Sequence, residues 1–361
     1  MIMNPQVVDV LVIGGGQSGC AMGYYLRRAD IRYIILDEQE MAGGAWLHGW
    51  DSLRLFSPAR ANSLPGWPMS ASAQGDQFPH RDEVIEYLTQ YQEKYQLNVK
   101  RPVHVERVVG DAGGFLVDTS AGTWKCKVLV SATGTWRKPY IPDYPGRDKY
   151  QGIQLHSADY RSPQLFARQL VLIVGGGNSG AQILAEISTV AETIWVTEHE
   201  PDFLPDHLDG SHIFDLATKQ YRAQQAGAKV EPVGNLSSII MVPPVKDARS
   251  RGVLESERPF QQFTEYGVIW NDGTETPIDA VIWCTGFEPS LDHLKSLDIQ
   301  IKNKKIVTNG TRSVEYPGLW LVGYGVWTGF ASSTLIGVGR TARRTVEEIK
   351  SFLAESRWPT A

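Results

Sequence analysis

Val7-Val-Asp-Val-Leu-Val-Ile-Gly-Gly-Gly-Gln-Ser-Gly19 is a nearly continuous apolar run that ends in glycines. Such a run reads as a buried parallel strand, a tight turn and the start of a helix. Gly14, Gly16 and Gly19 keep the spacing G-x-G-x-x-G. That spacing meets three demands: a tight turn, close backbone approach to a pyrophosphate, and close packing of helix on strand. Gln17 and Ser18 fall on the first helical turn, where unpaired N–H groups attract an anion. A second apolar run, Ile31 to Leu36, follows after one helix length and ends in Asp37 and Glu38, with Asp37 23 residues past Gly14. An acid at that place binds a ribose hydroxyl.

The chain contains this arrangement twice. Gln169-Leu-Val-Leu-Ile-Val-Gly-Gly-Gly-Asn-Ser-Gly180 repeats the strand, the glycines Gly175, Gly177 and Gly180, and the helix start with Asn178 and Ser179. Its partner strand, Thr193 to Thr197, runs into Glu198 and His199, with Glu198 again 23 residues past the first glycine. Two dinucleotide sites are therefore expected in one chain.

Composition narrows the function classes. The 361 residues are 42% hydrophobic, enough to build two domains of ordinary size. A net charge of -5, with Lys and Arg scattered apart from a loop-like stretch holding Lys246, Arg249 and Arg251, offers no field for nucleic acid. No apolar run approaches the roughly 20 residues of a membrane helix. The first strand begins too early to leave room for a signal peptide, so a cytoplasmic protein is expected. Cys20, Cys126 and Cys284 lie in separate elements without a C-x-x-C pair. They are read as buried hydrophobes, and no metal site is expected.

Between the two loops, the stretch from Glu40 to Pro68 is rich in Gly, Pro and Trp and holds Trp46, Trp50, Phe56 and Trp67, as a site for a flat ring system would. Asp82 to Tyr95 predicts an amphipathic helix capped by Asp82. Strands are expected at Val103 to Val109, Gly114 to Val117 and Lys125 to Val130, the last entering Ser131-Ala-Thr-Gly134. Pro139, Pro142 and Pro145 mark a linker. Ser211 to Ala226 reads as a helix, Leu236 to Phe260 has no clear pattern, and Val281 to Phe287 echoes the Ala-Thr-Gly segment through Thr285 and Gly286. Gly318 to Gly329 predicts a strand and glycine-rich turn containing Gly325, followed by a helix from about Ser332 to Leu353 that could aim N–H groups at a flavin carbonyl edge. The expected fold is α/β, with two Rossmann-like dinucleotide-binding domains. A nicotinamide domain at 159–284 is inserted into a discontinuous FAD domain at 1–158 and 285–361.

These residues resemble the flavin-containing monooxygenases, in particular their short bacterial members. The likeness spans essentially the whole chain and rests on Gly14 to Gly19, Gly43-Gly-Ala-Trp46, Ala132-Thr-Gly134, Gly175 to Gly180 and Tyr150-Gln-Gly-Ile-Gln-Leu-His-Ser-Ala-Asp-Tyr160. The last resembles the fingerprint F-x-G-x-x-x-H-x-x-x-Y, with Tyr150 in place of Phe. Gly43 to Trp46, Leu53 to Pro58 and Leu64 to Pro68 also resemble the monooxygenases of bacterial arsenic-resistance operons. The resemblance implies FAD contacts from Gly14 to Gly19, Asp37, Glu38, Gly44, Trp46, Val105, Ala132, Thr133, Gly134, Gly325 and Thr334. It implies NADH or NADPH contacts from His156, Tyr160, Gly175 to Gly180, Glu198, His199, Thr285 and Gly286. It also implies reduction of FAD by the nicotinamide and transfer of one oxygen atom from O2, through a C4a-(hydro)peroxyflavin, to a thioether or amine, or insertion into a ketone.

Where many members carry asparagine in the stretch after Gly-Gly-x-Trp, this chain has Phe56, with Ser57 beside it. Phe cannot donate a hydrogen bond, so appreciable uncoupling is expected from this loop. Glu198 accepts hydrogen bonds from a free ribose hydroxyl and repels a 2′-phosphate, so NADH should serve at least as well as NADPH. His199 or the Lys246 to Arg251 stretch would permit some NADPH use. Small-molecule substrates are expected, and a homodimer stays open. So do two other readings: an NAD(P)H oxidase or quinone-type reductase, and a non-catalytic flavin and nicotinamide sensor.

Overall fold

The computed structural model describes residues 4–72, 75–111, 113–225 and 238–355. The chain divides into two compact units: Met1–Leu47, Pro58–Arg137 and Pro289–Ala361 form the first, His48–Ser57 and Lys138–Glu288 the second. The first unit begins with β1 (Gln6–Ile13), α1 (Gln17–Arg28), β2 (Tyr33–Leu36), α2 (Arg81–Lys94), β3 (Val99–Lys100), β4 (Val105–Asp111), β5 (Gly114–Thr119) and β6 (Gly122–Ser131). The second holds β7 (Ile153–His156), β8 (Leu170–Val174), α3 (Asn178–Ile187), β9 (Glu192–Val196), α4 (Gly210–Gln225), α5 (Pro243–Ser250) and β10 (Ser256–Glu257). It continues with β11 (Gln262–Phe263), β12 (Gly267–Ile269), β13 (Glu275–Pro277) and β14 (Ala280–Trp283). The chain then completes the first unit with β15 (Ile301–Lys302), β16 (Lys305–Ile306), β17 (Thr308–Asn309), β18 (Arg312–Ser313), β19 (Leu319–Leu321) and α6 (Leu335–Glu355).

Among the described residues the first unit carries a nine-stranded sheet along β17-β18-β19-β6-β1-β2-β3, with the β4–β5 hairpin joined through β6. Its centre, β3 through β19, is parallel. Val10, Leu11 and Val12 are fully buried and all of β2 is buried, because both faces of the pleat are covered. The second unit carries a five-stranded parallel sheet ordered β10-β9-β8-β14-β7. In each sheet the strand before the glycines lies between its successor and a strand from much later in the chain: β1 between β2 and β6, β8 between β9 and β14. Such a reversal opens a crevice at the carboxyl ends of the strands.

Several expectations shift. The units meet in sequence at 137/138 and 288/289 rather than at 158/159 and 284/285. The reason is that Ile153 to His156 ladder onto Ala280 to Trp283, and Pro139 bridges to Phe287. α2 is capped by His80, not Asp82: the Asp82 N–H donates to His80 Nδ1 at 3.3 Å, and the His80 N–H donates to Glu83 Oε2 at 2.7 Å. Lys246 and Arg249 lie on α5 rather than in a loop, and Arg251 caps its end. The C-terminal helix starts at Leu335 instead of Ser332. Ala226, expected to end α4, and residues 236–237 of the patternless stretch lie outside the described residues. No helix among the described residues is long and apolar enough to cross a membrane.

Candidate functional site

The first glycine turn sits where β1 ends. Gly14 has φ +106, and a Cβ there would lie 2.6 Å from the Ala132 carbonyl oxygen at the end of β6. A Cβ on Gly19 would lie 2.0 Å from the Gly14 oxygen, so helix and turn touch through backbone. Gly16 differs: a Cβ there would meet the Gly44 Cα at 3.6 Å, an ordinary contact, so that two glycine backbones face each other. Gly16 is also the N-cap of α1 and offers no side-chain cap to the first-turn N–H groups. Gln17 joins three segments: its amide donates to the Ser333 carbonyl and accepts from Trp46 Nε1 at 3.2 Å. Ser18 is buried beneath Gly323.

Asp37 lies below the turn, 3% exposed, against Gly15. Its carboxylate accepts from Arg101 at 3.0 Å; Arg101 donates to Gln92 at 2.9 Å, and Gln92 donates to the Gly15 oxygen at 3.1 Å. Burial pushes the Asp37 carboxyl above its ordinary range, with Arg101 opposing. The sequence pattern gave no sign of Arg101 or Gln92. Glu38 is bound by Arg137 and His104, and Val105 is buried at the start of β4.

The Ala132 to Gly134 turn rests on buried hydroxyls. Ser131 Oγ is 3.0 Å from His293 Nε2 and 2.6 Å from the Tyr324 hydroxyl, which is 2.7 Å from Thr133 Oγ1. Thr133 also donates to the Ser290 carbonyl, and the Ser290 N–H returns to Gly134. Burial pulls His293 down to about 4, so it is neutral at physiological pH. Gly325 opens a short helical turn and accepts from Ser332 Oγ at 2.7 Å. Thr334 caps α6 by accepting the Gly337 N–H at 3.0 Å, so that one of the N–H groups expected to face a flavin is engaged within the helix.

The second turn repeats the first. Gly175 has φ +132 and a Cβ there would lie 2.3 Å from the Cys284 oxygen; on Gly180 it would lie 2.1 Å from the Gly175 oxygen. A Cβ on Gly177 would meet no described residue within 4 Å, and Gly177 is the N-cap of α3 without a side-chain cap. The Asn178 side chain is fixed by the Ile240 N–H at 2.9 Å, and Ser179 is half-buried on the same turn. Glu198 and His199 stand exposed after β9. Thr285 donates to the Tyr140 carbonyl, and Gly286 accepts the Tyr140 N–H.

His156 and Tyr160 are internal supports. His156 is 2% exposed; Nδ1 accepts the Ala158 N–H at 3.1 Å and Nε2 meets the Gly286 oxygen at 3.0 Å, which engages both ring nitrogens with backbone. The Tyr160 hydroxyl donates to Glu186 on α3 at 2.9 Å, and Glu186 also accepts from Ser52 and Trp50. The segment 48–57 is thereby fastened to the second unit. Its Phe56 packs on the start of α4: the Phe56 oxygen accepts the Gly210 N–H at 2.8 Å, and the ring centroid is 6.3 Å from that of Phe214. Ser57 is 1% exposed.

One charged group at the second turn had no sequence signal. Arg258 follows β10 and donates to Thr197 Oγ1 at 2.7 Å beside the exposed acids after β9. Lys246 and Arg249, by contrast, are engaged with Asp206, and Arg251 with Asp247 and the end of α3. All three cysteines are free and buried. Among the described residues no group of three or more His, Cys, Asp or Glu side chains could hold a metal ion.

Residues 11–219 match the family described as pyridine nucleotide-disulphide oxidoreductase. A solved flavin-containing monooxygenase from Stenotrophomonas maltophilia is 49% identical, covering 96% of this chain and 99% of that one with a TM-score of 0.88. A CzcO-like oxidoreductase of Geobacillus kaustophilus (strain HTA426) is 30% identical, over 95% of this chain and 98% of its own. The indole-3-pyruvate monooxygenase YUCCA1 of Oryza sativa subsp. japonica is 24% identical, over 95% of this chain and 91% of its own.

Proposed function

Because the chain belongs to the pyridine nucleotide-disulphide oxidoreductase family and, within it, to the flavin-containing monooxygenases, we propose that it uses a nicotinamide dinucleotide and O2 to oxygenate a soft nucleophile such as a thioether or amine, with ketones as further substrates. The observation that carries this reading is the pair of glycine turns, one at the reversal of each parallel sheet. At Gly14, Gly19, Gly175 and Gly180 the protein's own backbone excludes a Cβ; among the described residues none does so at Gly177, and at Gly16 another glycine is the neighbour. Space of that kind suits a pyrophosphate.

The residues fit FAD in the first unit. Gly16, Gly44 and the first turn of α1 would hold its diphosphate, Glu38 and Val105 would serve the adenosine, and Gln17, Trp46, Thr133, Gly134, Gly325 and Thr334 the riboflavin end. Asp37 supports this site from beneath through Arg101 and Gln92. When bound and reduced, FAD supplies the activation of O2. In the second unit Gly177, Asn178, Ser179 and Gly180 would hold the nicotinamide dinucleotide, and Glu198, with His199 beside it, would accept from its adenosine ribose. His156 and Tyr160 position the surrounding backbone, at Gly286 and at α3. Phe56 brings no donor to the substrate side, and peroxide release accompanies oxygen transfer.

The buried, separate thiols support oxygenation over the disulfide chemistry in the family's name. Burial pushes the thiols of Cys20 and Cys284 up to about 12, and that of Cys126 further, so none supplies a thiolate at neutral pH. For a thioether the balance is one NADH, one proton and one O2 consumed, with sulfoxide, water and NAD+ formed. The test is turnover of an aryl methyl sulfide with NADH under isotopically labelled dioxygen. Sulfoxide carrying one labelled oxygen is expected, with peroxide accounting for the remaining NADH. Peroxide equal to all the NADH, with no labelled product from sulfide, amine or ketone, would favour the oxidase or reductase reading instead.

A further inference from the structure

We propose that Arg258 is the residue that admits a 2′-phosphorylated nicotinamide nucleotide, and that Glu200 competes with that phosphate for its guanidinium. This rests on the assignment of the second glycine turn to the nicotinamide dinucleotide. Parallel pairing of β10 with β9 sets Glu257 opposite Val196 and brings Arg258 to the end of β9. There Arg258 Nη1 donates to Thr197 Oγ1 at 2.7 Å and to the Thr197 carbonyl at 3.2 Å, and also lies 3.2 Å from Ser256 Oγ. Thr197 is 2% exposed, and its Cγ2 lies 3.3 Å from where a Gly176 Cβ would stand. Arg258 is thus one side chain away from the glycine turn, anchored on the side that faces it.

Its other edge is held loosely. Nη2 pairs with Glu200, whose side chain is 82% exposed while that of Arg258 is 43% exposed. An ion pair so open to water is weak and readily exchanged. A phosphate offers the same fork two strong acceptors. Glu198, Glu200 and Glu257 are all exposed at the ends of the paired strands β9 and β10, which suits a free ribose hydroxyl and makes a phosphate depend on a cation here. Of the other basic groups that the sequence put forward, Lys246 and Arg249 are engaged with Asp206 and Arg251 with Asp247, while His199 is exposed next to Glu198.

The experiment is calorimetric titration of FAD-loaded protein with ADP and with 2′,5′-ADP, which reads binding without turnover. Arg258→Gln should weaken 2′,5′-ADP about tenfold and leave ADP within about twofold, as loss of a charged hydrogen-bonded pair requires. Arg258→Lys should recover part of that loss, and Glu200→Gln should tighten 2′,5′-ADP while leaving ADP unchanged. Equal weakening of both nucleotides by Arg258→Gln would make Arg258 a structural support and overturn the proposal. Failure of the unaltered protein to bind either nucleotide would overturn the assignment of the second turn and this proposal with it.

Discussion

His293 is the residue whose environment has the clearest consequence in solution. It lies between Ser131 and Tyr324, with Asp292, Glu38 and His104 the nearest ionisable groups acting on it, and burial keeps it neutral down to about 4. The unfolded chain takes up a proton near 6.5. Between those values the unfolded state binds the extra proton, so stability is fully present above about 6.5 and falls as pH drops toward 4. Asp37 and Glu186 are raised by burial and slope the other way, so the comparison must be with a variant rather than absolute. Urea titrations at pH 7 and 4.5 should show the wild type losing about 2 to 3 kcal/mol more than His293→Gln. Equal losses would mean that His293 titrates alike in the folded and unfolded protein. None of this was legible beforehand, since His293 lies 162 residues from Ser131.

Among the elements, α2 shows how far local pattern reaches. Of the apolar face that the spacing predicts, Val84, Tyr87, Leu88 and Tyr91 are buried, while Tyr95 is the half-buried C-cap. The cap was misplaced by two residues because histidine is an unusual N-cap, whereas Asp is a common one. With both halves of the capping pair made by His80 and Glu83, His80→Ala should lower stability by about 1 kcal/mol, and Asp82→Ala by less, in the same titration at pH 7. A larger loss at Asp82 would restore the sequence-based cap. The glycine turns are the opposite case. Their spacing alone located both, because the steric demands at Gly14, Gly19, Gly175 and Gly180 are met by residues at most a few positions away or by the adjoining strand.

At the scale of the whole molecule, cofactor binding and folding should be coupled. A ligand held only by the folded state stabilises it by mass action, by about 3 kcal/mol at a hundredfold excess over its dissociation constant. Stripping FAD should therefore lower the thermal midpoint by several degrees, and adding FAD back should restore it. A midpoint indifferent to FAD would count against the first-unit site. The discontinuous order of the two units was readable from the repeat, but their borders were not. Residues 48–57 and 138–158 follow the first glycine turn in sequence yet belong to the second unit through Glu186 and the β7–β14 ladder.

The sequence by itself determined what depends on neighbours along the chain: the two strand-turn-helix units, their apolar strands, and the glycines that their backbones require. The tertiary structure decided what depends on parallel pairing and burial, where distant residues become neighbours. Arg258 reaches Glu200 across 58 positions because β10 lies beside β9. Arg101 reaches Asp37 across 64 because β3 lies beside β2. A side chain's charge, hydrogen-bond partners and access to a ligand are set by three-dimensional proximity, which residue spacing does not encode.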